Sequence, residues 1–261
     1  MVPTGRRSLI APVASIAMIT LMAPAKLTVS LRLTGLRADG MHLIDAEMVS
    51  VDLCDTLVLT EGRGVTMDGP HAGAMRGETD GTDLVSAALR IVGRDDDVRV
   101  AVDKRIPAGA GLGGGSSDAA AILRWAGFDD VEAAARLGAD VAFCLLGGRA
   151  RVSGIGEIVE PLPDVDRTFT LLTPAVHCST PVVYRTWDAM GGPTAGPEVI
   201  DPNDLTSAAE AAFPDIVATR ERLQNATKLP ARLAGSGSTW FVEGDFPGDE
   251  RVVVRTVPSA R

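Results

Sequence analysis

The chain has 261 residues, 46% of them hydrophobic and 23% charged, with a formal net charge of -9. That length supports one large domain or two modest ones with packed cores, and the composition excludes a disordered chain. The acidic balance excludes a surface built for nucleic acid or anionic membrane, both of which select for excess Lys and Arg. Residues 1–22 have a basic start, an apolar stretch and a small-x-small ending, the outline of a signal peptide. Pro12 interrupts the apolar stretch and a strand follows at once, so cleavage after Ala25 would remove that strand's opening. The segment therefore reads as an unstructured leader or an early start, with Met18 or Met22 as alternative starts. No apolar run is long enough for a membrane span.

"AKLTVSLRLT", Ala25 to Thr34, alternates apolar and polar residues, the period of a half-buried strand whose outward face carries Lys26, Thr28, Ser30 and Arg32. "GLRADGMH" is a Gly/Asp turn, and "AEMVSVDL" and "DTLVLT" read as two further strands of a meander. "TDLVSAALRIVG" is a helix ended by glycine, and "DVRVAVDKRI" a strand halted by Pro107. After a glycine loop, "SDAAAILRWAG" is a helix with Ser116 or Ser117 placed to cap it, and "DDVEAAARLG" a short helix ended by Gly138. Beyond Arg149 come short strands ("RARVSG", "EIVEPL", "TFTLLTP"), a Gly/Pro-rich stretch from Gly191 to Pro197, and helices near 204–211 and 215–225. "ARLAGSGSTWFVEG" and "ERVVVRTV" read as closing strands. Strands and helices without regular alternation predict an α+β fold of two domains, 23–150 and 151–261. Cys54, Cys144 and Cys178, like His42, His71 and His177, are scattered without disulfide or zinc spacing, which predicts a reduced, cytoplasmic protein with no metal centre built from protein ligands.

The loop "PAGAGLGGGSS" comprises Pro107, Ala108, Gly109, Ala110, Gly111, Leu112, Gly113, Gly114, Gly115, Ser116 and Ser117. A P-loop needs Lys and then Ser/Thr after its last glycine, and here Ser116 follows Gly115 directly, so that mechanism lacks its cation. Gly109, Gly111 and Gly114 match G-x-G-x-x-G, but a dinucleotide fold requires the pattern early in a parallel βαβ unit. What stands is a cradle of backbone N–H groups ahead of a helix whose positive end faces an anion.

With "APAKLTVSL" before this loop and "LAGSGSTWF" after it, the chain resembles the GHMP-superfamily kinases, most closely those that act on a CDP-linked methylerythritol. "RADGMH", "LGADVAF", "STPVVY", "NDL" and "RTVP" extend the resemblance from about Ala23 to Pro258. It implies a ribosomal-S5-like N-terminal domain, a ferredoxin-like C-terminal domain, and ATP-dependent phosphorylation of the acceptor's 2-hydroxyl in non-mevalonate isoprenoid biosynthesis. The implied cofactors are ATP and Mg²⁺, with Ser116 or Ser117 as a contact for the ion, and the implied state is a monomer or weak homodimer.

The resemblance also assigns roles. It makes Asp140 the carboxylate that accepts the hydroxyl proton and Lys26 its cationic partner, with Thr28, His42, Tyr184, Gly235, Ser236 and Gly237 around the acceptor. The family stacks a cytosine between aromatic rings and reads its edge with a histidine, positions matched here by Tyr184 and His42. Met41 stands where the family has Tyr, Thr28 where it has Asn, and Asp83 where Asn is common; the helix before the last strand is reduced to "GDFPGDE".

Overall fold

The structure, a computed structural model, describes residues 17–192 and 202–259. Most of the leader and of the stretch from Gly191 to Pro197 lies outside the described residues.

Strands β1 (Ile19–Leu36) and β2 (His42–Glu61) form one long antiparallel hairpin. Ile19 to Met22, expected to end the leader, pair with Leu59 to Thr56, because Ile19 and Leu21 pack against the core. The two strands expected after the turn are a single strand: the register jumps from Pro24–Cys54 to Ala25–Val51, leaving Asp52 and Leu53 as a bulge. Such a bulge bends a strand without ending it. Each long strand consequently serves two cores, Ala23, Leu31 and Leu33 in the first and Ala25, Leu27 and Val29 in the second.

The first half continues through β3 (Gly64–Asp68), β4 (Gly77–Glu78), α1 (Leu84–Ile91), β5 (Val98–Asp103), α2 (Gly114–Trp125), α3 (Val131–Leu137), α4 (Ala139–Leu146), β6 (Arg149–Gly154) and β7 (Ile158–Leu162). Its seven-stranded sheet runs β4-β3-β5-β2-β6-β7, with β1 also paired to β2. The pair β3–β5 is parallel and the rest antiparallel, so the sheet is mixed. Because β6 and β7 belong to this sheet, the two sheets divide between Leu162 and Thr168 rather than near residue 150. The Ala-rich α2 buries Ala119 to Leu123, and its small side chains let it pack against α1, α4 and β1 at once.

The second half contains β8 (Thr168–Leu172), α5 (Thr180–Ala189), α6 (Thr206–Ala212), α7 (Asp215–Thr227), β9 (Arg232–Leu233), β10 (Trp240–Glu243) and β11 (Arg251–Arg255). The sheet order is β11-β8-β10-β9, all antiparallel. Phe169, Leu171, Phe241 and Val254 from this sheet close the second core against the bent part of β1 and β2. The stretch expected as one closing strand, 231–244, splits into β9 and β10 around Gly235 to Thr239, which leaves the Gly-Ser-Gly segment free to turn toward β1.

Two helices escape the sequence reading. In α4 six of eight residues are buried, so it is apolar all round and shows no amphipathic period. In α5 the opening Thr-Pro-Val-Val looks extended, although Pro in the first turn and Ser179 ahead of it are compatible with a helix start.

Candidate active site

The glycine loop is fixed at both ends by buried ions. Asp55, beside the bulge in β2, accepts from the Lys104 ammonium, from the Arg105 N–H and, at 2.8 Å, from the Ile106 N–H. Lys104 also donates to Asp118 Oδ2 at 2.5 Å, which ties the residue just past β5 to the first turns of α2. Burial pushes the Asp118 carboxyl up to about 7, against the pull of the Lys104 charge. Burial alone lowers Lys104, but the two carboxylates outweigh it and hold the ammonium above its ordinary value.

Between these anchors the backbone makes approaches that exclude side chains. A Cβ on Gly111 (φ +79°) would lie 2.1 Å from the Ala234 carbonyl oxygen, and one on Gly113 (φ +69°) would lie 2.7 Å from Lys26 Cγ. Left-handed backbone and close contact together restrict both positions to glycine. Gly113 is the N-cap of α2, so Ser116 and Ser117 sit in the first turn and do not cap it. The helix start has no side-chain cap, which leaves its first N–H groups for a ligand. Ser117 Oγ donates to the Pro24 carbonyl. Leu112 is buried in the second core, and its carbonyl accepts the Lys26 N–H at 3.0 Å. Those two members of the expected ATP-binding set are thus turned away from the cavity.

Two cavities meet beside this loop. One, of about 440 Å³, is lined by Pro107 to Gly111, Gly113 to Ser116, Met67, Leu84 and Asp140. The other, of about 290 Å³, is lined by Lys26, Thr28, Ile44, Asp140, Tyr184, Gly235 and Ser236. Gly111, Ser116, Asp140 and Thr180 belong to both walls. Asp140 lies in the first turn of α4, with a side chain 32% exposed, and its Oδ2 is 3.3 Å from Lys26 Nζ. Lys26 also donates to Thr28 Oγ1 at 3.1 Å.

Lys26 is 5% and Thr28 1% exposed, so the face of β1 expected to be outward is buried at these two residues, while Ser30 and Arg32 farther along are half-buried. The reason is the Gly-Ser-Gly segment: a Cβ on Gly235 (φ +59°) would come within 3.4 Å of Lys26 Nζ, and this glycine lets the segment close over the strand. Asn203 Nδ2 pins that segment by donating to the Leu233 and Gly235 carbonyls at 2.9 and 2.7 Å. Gly237 faces Leu233 and Cys178 rather than the cavity. Thr180 was not identified from sequence; its hydroxyl is 2.8 Å from Ser236 Oγ, and its place after Ser179 at a helix start is the signal that marks it.

Beyond Tyr184, which lines the second cavity, the turn before β2 is set by Asp39, which pairs with Arg37 and accepts the Met41 N–H at 3.2 Å. It presents His42 to α5. His42 Nε2 is 2.8 Å from Asp188 Oδ1, and its ring centroid is 4.9 Å from Tyr184 and 5.4 Å, edge on, from Trp187. Burial, with the Asp140 charge second, pushes the Tyr184 phenol up to about 12, so this ring stays neutral. Trp187 and Asp188 were also missed; with Tyr184 they occupy positions i, i+3 and i+4, one face of a helix.

A wider, open groove of about 880 Å³ lies on the outer sheet face among Met22, Cys54, Val58 and Arg105. Its arginines are already paired, Arg76 with Asp68 and Arg105 with Asp103. No cluster of metal-ligating side chains occurs among the described residues, and no helix among them is long and apolar enough to cross a membrane.

Residues 83–148, which include the loop and Asp140, match the family model of the GHMP kinases N terminal domain. A 4-diphosphocytidyl-2-C-methyl-D-erythritol kinase of Ruegeria pomeroyi is 36% identical over 250 residues, 87% of this chain and 88% of that protein. The enzyme of the same name from Paracoccus denitrificans is 37% identical over 239 residues, 84% of each chain. A crystal structure of 4-(cytidine 5'-diphospho)-2C-methyl-D-erythritol kinase superposes with a TM-score of 0.73 at 30% identity, covering 91% of this chain and 98% of that one. A homoserine kinase from Cytophaga hutchinsonii, at 16% identity and a TM-score of 0.58, shares the fold.

Proposed function

The chain belongs to the 4-diphosphocytidyl-2-C-methyl-D-erythritol kinases, and from that membership we propose how its residues divide the work. The reaction is ATP-dependent transfer of a phosphoryl group to the 2-hydroxyl of the CDP-linked methylerythritol, a step in non-mevalonate isoprenoid biosynthesis. The observation that carries the assignment is the meeting of two cavities at Asp140. A phosphoryl group passing from a nucleotide in the glycine-lined cavity to an alcohol in the other crosses beside this carboxylate.

Phosphoryl transfer asks a protein chiefly for position and charge. The amides of Gly109 to Gly115 and the start of α2 hold the phosphates. Asp140 takes the proton as the acceptor oxygen attacks phosphorus and the bond to the ADP oxygen breaks. Lys26, 3.3 Å away, stabilises the developing charge. Thr28 and Gly235 keep the ammonium in place. Tyr184 supplies a face for the cytosine and His42 an edge contact.

The donors present suit Mg²⁺, which takes hard oxygen ligands and is held mainly by substrate phosphates. Ser116 is the residue to hold it, because its side chain lines the nucleotide cavity while the Ser117 hydroxyl is engaged by Pro24. When bound, the ion neutralises charge on the transferring group. A cytoplasmic monomer or weak homodimer without nucleic-acid or membrane partners fits the net charge of -9.

The test is ADP release with Mg-ATP and the CDP-methylerythritol acceptor, using wild type, Asp140→Ala and an acceptor-free control. Acceptor-dependent turnover that disappears in Asp140→Ala supports the assignment. Comparable turnover in both proteins overturns the role of Asp140, and ATP binding without turnover in wild type redirects the search to another alcohol.

A further inference from the structure

Asp188 lies outside the motifs that carry the family resemblance, yet its side chain meets His42 across 146 positions of sequence. The helix α5 brings Tyr184, Trp187 and Asp188 onto one face, and all three converge on the His42 ring. The His42 side chain is 12% exposed and that of Asp188 45%, so the imidazole is held inside a ring of partners whose acidic member reaches solvent. A hydrogen bond to a half-exposed carboxylate contributes little to stability. Its geometry has chemical content nonetheless.

An ionised carboxylate only accepts hydrogen bonds, so the imidazole nitrogen facing Asp188 must carry the proton. In the neutral ring the other nitrogen, Nδ1, then holds a lone pair and accepts. The proton position follows from the hydrogen-bond network. Resting on the acceptor assignment above, we propose that Asp188 is a positioning residue that fixes the tautomer of His42, so that Nδ1 accepts from the exocyclic amine of a cytosine and the site selects cytidine over uridine. Uridine presents a carbonyl oxygen at that place, and two acceptors facing each other repel. Tyr184 and Trp187 pack against the imidazole at centroid distances of 4.9 and 5.4 Å.

The experiment compares kcat and KM for the CDP-linked acceptor and its UDP-linked analogue in wild type, Asp188→Asn and Asp188→Glu. An amide can offer histidine either an acceptor or a donor, so Asp188→Asn frees the tautomer while keeping the size of the side chain. The expected result is a fall of about tenfold in the cytidine-to-uridine ratio of kcat/KM, the worth of one hydrogen bond. The loss appears chiefly in KM for the cytidine acceptor, and Asp188→Glu restores part of it. Adding Asp188→Asn to His42→Ala should lower the ratio no further, because Asp188 acts through His42. An unchanged ratio in Asp188→Asn, or a loss confined to kcat, overturns the proposal. Wild type that turns over neither acceptor overturns the family assignment of substrate itself, a separate result from the first.

Discussion

In the proposed division of the site, the phosphates are held by backbone amides of a loop clamped by the buried Asp55, Lys104 and Asp118, whereas the cytosine is held by side chains of α5 and the turn before β2 that pack on one another. A change at the transfer end therefore disturbs folding and chemistry together. On the proposed reading, a change at the base end alters chiefly which molecule is accepted.

The sharpest division of these ends comes from Asp140→Asn, which should lower kcat by about 10³-fold while ATP affinity is retained, measured by single turnover and equilibrium binding. Loss of ATP affinity in step with kcat would show that Asp140 holds nucleotide. Lys104→Met strands two buried carboxylates and should cost about 3–5 kcal/mol in urea unfolding, far more than any surface pair. Gly113→Ala imposes both a strained φ and a contact with Lys26 Cγ, and kcat should fall about 100-fold through displacement of the ammonium. Tyr184→Ala belongs to the other end, and KM for the CDP acceptor should rise roughly tenfold while kcat changes little, measured by steady-state kinetics.

The smallest effect tests the ion cluster through pH. A carboxyl whose folded pKa is raised stabilises the fold while protonated, so the Asp118 contribution is complete at acidic pH and is lost as pH climbs from 3.8 to about 7. Asp118→Asn removes that dependence. Its melting temperature relative to wild type should rise across this window and level off above it; a difference independent of pH would mean that Asp118 is ionised throughout.

The same contrast governs what the sequence revealed. Consecutive glycines before an alanine run state their backbone chemistry openly, so the anion cradle could be read without any partner. Lys26 looked like an ordinary outward lysine because the segment that buries it, Gly235 to Gly237, lies some two hundred positions later. Ser116 and Ser117 could not be told apart while the helix seemed to begin with them; a glycine N-cap moved its start earlier and turned one hydroxyl toward Pro24. Asp140 carried no local signal of its own, because α4 has no polar face to give it a period. The partners of His42 were invisible for a different reason: helix spacing puts Tyr184, Trp187 and Asp188 on one face, but nothing local names the residue that face will meet.

The clamp on the glycine loop also bears on synthesis of the chain. Ala110 accepts the Thr239 N–H at 3.1 Å, Gly111 rests against Ala234, and Thr256 bridges back to Val51. A ribosome delivers the loop more than a hundred residues before those supports. An aborted product that ends before Ala234 carries the loop and its clamp of Asp55, Lys104 and Asp118 but lacks the contacts of Ala110 and Gly111 to the 234–239 segment, so a fully braced loop marks a polypeptide translated nearly to its end.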